Sequence, residues 1–124
     1  MREILFRGKD IRQNWHIGLL AHIGNAWYIS NKAGIATAFE VIPETVGEYA
    51  NLIDKNYKKI FEGDIVITNK INNPSKKYIV KYNLSFASFI GEDKNEMFFT
   101  TFDGDSNDFE VIGNVHDNPE LLKE

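Results

Sequence analysis

The chain has 124 residues, of which 43% are hydrophobic and 26% charged, and its net charge is −4. That length supports one core but leaves little room for two independent domains, and the composition excludes a disordered chain. There is no cysteine, which removes disulfides, thiolate nucleophiles and thiolate metal sites, and the mildly acidic balance gives no general attraction to phosphate backbones.

Taken in order, the chain is a series of short runs rich in β-branched and aromatic residues, separated by Gly, Asn, Asp and Pro. The first run, in Met1 to Arg7, breaks off after three apolar residues, and no later run approaches the roughly 18 that a bilayer span needs. Neither a signal peptide nor a membrane contact is expected, and a reducing cytoplasm fits the absence of cysteine. Strands are predicted at Glu3 to Arg7, Trp15 to Ile23, Ala26 to Ser30, Thr37 to Val41, Asp64 to Asn69, Lys77 to Tyr82, Ser85 to Ile90, Glu96 to Phe102 and Phe109 to Val115. Turn chemistry divides them at Gly24-Asn25, 31–34, 72–75, 91–95 and 103–105. Helical character is confined to two short turns. Pro43 to Val46 is stopped by Gly47, and Asn118 to Leu122 has an Asn suited to cap, Pro119 at the first helical position and Glu120 in the first turn. Strands at this spacing make the fold mainly β, a small barrel or a sandwich.

Charge is unevenly distributed. Residues 1–53 are neutral, 54–81 carry +4 and 82–124 carry −8. A basic middle beside an acidic tail serves self-association between identical subunits, or else the two blocks pair within one subunit or face water.

Three segments carry a family resemblance. The stretch from Asp54 to Val66, the opening Met1-Arg2-Glu3-Ile4-Leu5-Phe6-Arg7-Gly8 and the ending from Phe109 to Leu122 resemble the YopX family of bacteriophage and prophage proteins. Members usually carry Thr-Gly-Leu and Asn-Gly ahead of the Glu-Gly-Asp-Ile motif, where this chain has Ala50-Asn51-Leu52 and Asn56-Tyr57. The resemblance implies an α+β, β-rich fold with a small SH3-like barrel, an additional β-rich portion and one or two short helices. It also implies a tendency to form multimers and a phage or prophage origin in a bacterial host cell. A single domain over 1–124 is expected, with sub-parts at 1–53 and 54–124. The family's biochemical role is unsettled, so the resemblance implies no activity and no cofactor.

The motif residues read as structural. In Glu62-Gly63-Asp64-Ile65-Val66, Gly63 is placed to take a backbone conformation closed to other residues, and a carboxylate to satisfy free amides at the entrance of an apolar strand. Gly113, Asn118 and Pro119 belong to the same structural set. Glu62 and Asp64 as an acid/base pair would need a shared cleft and a third group, which nothing in the sequence supplies. The acids from Asp103 to Glu110 lack the Gly and Glu spacing of an EF-hand and read as a solvated hairpin rim. His16, His22 and His116 lack zinc-site spacing, the serines lack a nucleophile elbow, and no glycine set forms a phosphate loop. No catalytic, metal or cofactor site is therefore expected.

Two functional readings remain, both non-catalytic. The first is a protein-binding or self-assembling module, a homo-oligomer or the partner of another protein, with Trp15, Trp27, Tyr28 and Phe39 either in an interface core or filling the domain's own interior. The second is a single-stranded nucleic-acid surface on 55–82. There Lys55, Lys58, Lys59, Lys76, Lys77 and Lys81 would attract the backbone while Tyr57, Tyr78 and Tyr82 stack on bases.

Overall fold

A computed structural model describes residues 2–30, 38–68, 76–96, 99–102 and 108–123. The turns predicted at 31–34, 72–75 and 103–105, and most of the acidic stretch, lie outside the described residues. The chain forms two compact units, Met1–Tyr49 and Ala50–Glu124. Their boundary falls inside a strand, where the sequence places the division after Ile53.

The first unit runs β1 (Phe6–Lys9), β2 (Trp15–Ile23), β3 (Ala26–Ser30), β4 (Phe39–Val41), a single 3-10 turn η1 (Pro43–Thr45) and the start of β5 (Gly47–Ile53). All pairings are antiparallel, in the order β4-β3-β2-β1-β5. The β2–β3 hairpin turns on Gly24-Asn25, with Gly24 at φ +62, a geometry that matches the twist of the flanking strands. The sheet coils until β4 returns to β1. The Ile42 amide donates to the Lys9 carbonyl at 2.7 Å, and a Cβ on Gly8 would stand 3.0 Å from that of Val41. Thr45 locks this corner, its hydroxyl accepting from the Lys9 amide and donating to the Ile42 carbonyl. Ile29 and Val41 are buried here.

The second unit holds the rest of β5, β6 (Lys59–Phe61), β7 (Asp64–Thr68), β8 (Lys77–Asn83), β9 (Ser88–Glu92), β10 (Phe99–Thr101), β11 (Phe109–Asn114) and a second 3-10 turn, η2 (Pro119–Leu122). β6 lies beside β5, and an antiparallel sheet runs β10-β9-β8-β7-β11. Ile60, Val66, Tyr78, Val80 and Phe109 form its core, with Leu52, Phe89, Phe102 and Val111 packed around them.

The fold is mainly β, and among the described residues helical structure takes the form of short 3-10 turns. Three expectations need correction. The sheet of the second unit is open, so the SH3-like barrel is not closed; β10 and β11 are its outer strands, and Phe102 and Phe109 meet there edge to face with ring centroids 4.9 Å apart. β5 and β6 are absent from the sequence-based strands. Gly47 and Asn51 weaken the local signal in β5, and β1 supplies its partner from forty residues upstream, at Arg7↔Gly47 and Phe6↔Glu48. β9 starts at Ser88 rather than Ser85, because Leu84 to Ala87 form a turn in which the Asn83 side chain accepts the Phe86 amide and Ala87 sits at φ +52.

Candidate functional site

The Glu62-Gly63 turn carries the chain from β6 into β7. Gly63 has φ +93, a region that L side chains avoid. Its amide donates to the Val80 carbonyl and its own carbonyl accepts from the Val115 amide, so one residue ties β8 and the end of β11 to the β7 entrance. Asp64 is almost fully buried, with its carboxylate accepting the Phe61 amide at 2.8 Å. Ile65 beside it is fully buried.

Asp54, which the sequence does not single out, plays the same part at the neighbouring turn. One oxygen accepts the Asn56 and Lys58 amides and the other the Val111 amide. Burial opposes its ionisation, but the amides of Val111, Lys58 and Asn56, with the Lys58 charge, outweigh that and hold the carboxyl below its usual range. Its one legible signal is the Asp-x-Asn pattern of a side chain that bonds its own turn.

The places where the family carries Gly are Asn51 and Tyr57. Both adopt left-handed backbone, φ +59 and φ +63. For a tyrosine that conformation costs roughly 1–2 kcal/mol. Tyr57 is also 87% exposed.

The carboxyl-terminal residues form a second motif. A Cβ on Gly113 would lie 2.6 Å from the Asn118 side-chain oxygen and 2.9 Å from the Leu121 Cδ1. Pro119 starts η2 as predicted, but Asn118 makes no side-chain cap to it. Its Oδ1 accepts the Asn114 amide instead, while the Asn114 Oδ1 accepts the amides of His116 and Asp117. Asn118 thereby holds the end of β11, just past the bulge between Val111 and Gly113, instead of the turn that it precedes.

The Lys/Tyr segment divides by strand parity. On β8 the side chains alternate, so Tyr78 and Tyr82 share one face and Lys77 and Lys81 the other. Tyr78 is 6% exposed within the core, and this corrects its assignment as a stacking residue; burial first, and then the charge of Asp93, raise its pKa. Tyr82 is partly exposed, edge-on to Phe89. Lys55 pairs with Glu110 at 3.3 Å, and Lys81 with Glu92 at 2.8 Å and Glu96 at 3.9 Å. The basic middle and the acidic tail thus meet within one unit. Lys58 and Lys59 are exposed beside Tyr57. Lys76, Lys77, Lys94 and Lys123 line one cleft.

In the first unit Trp15, Trp27 and Phe39 are half-buried against polar groups. Trp15 lies beneath the Arg7 and Lys9 cations, His22 stacks on Trp27, and His16 stacks on Phe39 while bonding Asp10 at 2.8 Å. Among the described residues no group of three His, Cys, Asp or Glu could hold a metal ion, and no helix is long and apolar enough to cross a membrane.

Apolar side chains stand in water at the β8–β9 turn, where Leu84 is 87% and Phe86 52% exposed. The Phe86 ring lies 5.4 Å from that of Phe99, itself half-exposed on β10.

Comparison with known proteins completes the picture. No curated protein matches the chain. The crystal structure of protein EF1440 from Enterococcus faecalis is similar in fold, with a TM-score of 0.60 and 22% identity over 99% of this chain and 100% of that one. The family model described as YopX protein matches residues 7–123. With nearly the whole length matched, from β1 to the end of η2, this chain belongs to the YopX family.

Proposed function

We propose that the protein is a non-catalytic accessory factor of phage or prophage origin, acting in the bacterial cytoplasm by binding protein, with a second copy of itself as the first partner to test. The observation that carries this reading is the apolar tip formed by Leu84, Phe86 and Phe99, with Tyr82 alongside. Covering one such side chain is worth about 1.5–3 kcal/mol, and a contiguous exposed group of them marks interaction surfaces. The tip is also prepared for contact, because the Asn83–Phe86 hydrogen bond fixes the turn before any partner arrives. Light scattering on a size-exclusion column tests it. The expected result is a mass above the monomer that falls to the monomer in a Leu84→Ser/Phe86→Ser variant; a wild-type monomer at every concentration removes self-assembly.

A second reading, a single-stranded nucleic-acid surface, is favoured by Tyr57. This exposed ring, held in a costly backbone conformation, sits among Lys55, Lys58 and Lys59. Stacking on one base is worth about 1–3 kcal/mol. Fluorescence anisotropy with a labelled oligonucleotide should show binding that weakens with salt and is lost in Tyr57→Ala. Binding unchanged by salt, or none, excludes it.

A further inference from the structure

β2 has nine residues, and its two halves have different neighbours. Trp15 to Gly18 pair with β1, and Leu19 to Ile23 pair with β3. β1 begins at Phe6, opposite Gly18, so among the described residues no strand lies against the other edge of Leu19 to Ile23. In a two-residue hairpin the pair flanking the turn, here Ile23 and Ala26, is the hydrogen-bonded one, so the main chain of Ile23, Ala21 and Leu19 faces β3. That of Leu20 and His22 faces outward. The Asn14 carbonyl, which accepts the Asp10 amide, has the same parity and turns to the same side.

The side chains leave this edge open. Leu19 is 55% and Ile23 67% exposed, and Ala21 between them is exposed as well. Soluble proteins blunt apolar edges with Lys, Pro or a bulge. No Asp, Glu, Lys, Arg or Pro occurs from Gln13 to Ser30, and the β2–β3 register runs without a break. Continuing β1 upstream would set Ile4 opposite Leu20, but Ile4 lies outside the strand and is 52% exposed.

We infer that residues 19–23 pair antiparallel with the same residues of a second copy, joining two sheets across a two-fold axis. The segment matches itself. With Ala21 opposite Ala21 of the second copy, Leu20 faces His22, and the outward N–H and C=O groups of both residues find partners. Leu19 then lies beside Ile23 on the exposed face. The small Ala21 takes the non-hydrogen-bonded position on the axis, where opposed Cα atoms stand about 4.5 Å apart. Such self-complementarity is what a two-fold contact requires and selects a second copy over a foreign strand. The inference rests on the reading that a second copy is the partner, and adds this edge of the first unit to the tip of the second as a place where copies meet. Copies held at both places should separate when either is altered.

Analytical ultracentrifugation of the full chain tests this with charges placed on the axis. Ala21→Lys and Ala21→Glu each oppose like charges and should weaken association at least about tenfold, while an equimolar mixture of the two should restore it. Circular dichroism should stay unchanged, since Ala21 is exposed. His22→Pro removes an outward amide without touching the β3 ladder and should also weaken association. By hydrogen exchange, the Leu20 and His22 amides of the wild type should become protected as concentration rises. The inference is overturned if the wild type associates and the Ala21 variants do so equally well, or if mixing them restores nothing. It is overturned too if both amides are already protected in the monomer, because the chain's own amino-terminal residues would then cover the edge. A wild type that is monomeric at every concentration overturns it together with self-association; an association that the Ala21 variants weaken and Leu84→Ser/Phe86→Ser leaves intact overturns the tip alone.

Discussion

The Asp54 carboxylate accepts the backbone amide of Val111, 57 residues further along the chain, at 3.0 Å. The same carboxylate closes its own turn through Asn56 and Lys58, so a local motif and a long-range strand contact depend on one side chain. Asp54→Asn keeps one acceptor oxygen and turns an NH2 toward an amide donor. A loss of about 2–3 kcal/mol is expected, read by urea unfolding followed by circular dichroism, and Asp54→Ala should cost more. Because the folded-state pKa is lowered, this contribution is present above the unfolded value near 3.8 and is lost as pH falls through the lower folded value. The variant should therefore flatten the acid side of the stability profile.

Gly113 and Asn118 form a steric pair. A methyl group at 113 would meet the Asn118 oxygen at 2.6 Å and the Leu121 methyl at 2.9 Å, so Gly113→Ala should destabilise by about 1–3 kcal/mol through overpacking. In an Asn118→Ala background part of the clash is gone, and the double variant should lose less than the sum of the two single losses. Strict additivity would contradict the contact.

Asp10 links a turn to a histidine. The His16 ring bonds one oxygen, and the amides of Asn14 and Arg12 bond the other. The His16 hydrogen bond is the largest of the effects that hold the Asp10 carboxyl below its usual range, with the Asn14 amide next. Carbon-13 NMR should show its carboxyl titrating at lower pH than a free aspartate, and His16→Ala should move that titration upward. No movement would mean that the turn amides alone set it. The associated stability is present above the unfolded value and disappears as pH falls through the folded one.

Tyr78 gives the opposite pH dependence. Burial in the core, and secondarily Asp93, raise its pKa above 10.0, so the fold favours the neutral phenol. Stability should hold below the unfolded value and fall as pH rises through the folded one. Absorbance at alkaline pH should show a late-ionising tyrosine coincident with unfolding, and Tyr78→Phe should abolish that step.

Much of the architecture was readable before coordinates. Trp15–Ile23 and Ala26–Ser30 appear with the predicted limits because their β-branched and aromatic runs are bounded by Asp10 to Asn14 and Gly24-Asn25. Pro43 and Pro119 mark the 3-10 turns η1 and η2 for the same local reason. β5 was not readable, since its formation rests on β1 and not on its own residues. The opposed faces of β8 were legible in principle, from nothing more than the parity of Lys77, Tyr78, Lys81 and Tyr82. The four-lysine cleft was not, because only the topology brings Lys94 and Lys123 to the start of β8.

The placement of β11 against β7 has a consequence during translation. β7 can pair with β8 early, yet its other edge, and the second oxygen of Asp54, have no partner until Phe109–Asn114 has left the ribosome. A nascent chain halted before that point carries an open hydrophobic strand, Ile65 and Val66 included, and is a target for chaperones and proteases until the last strand arrives.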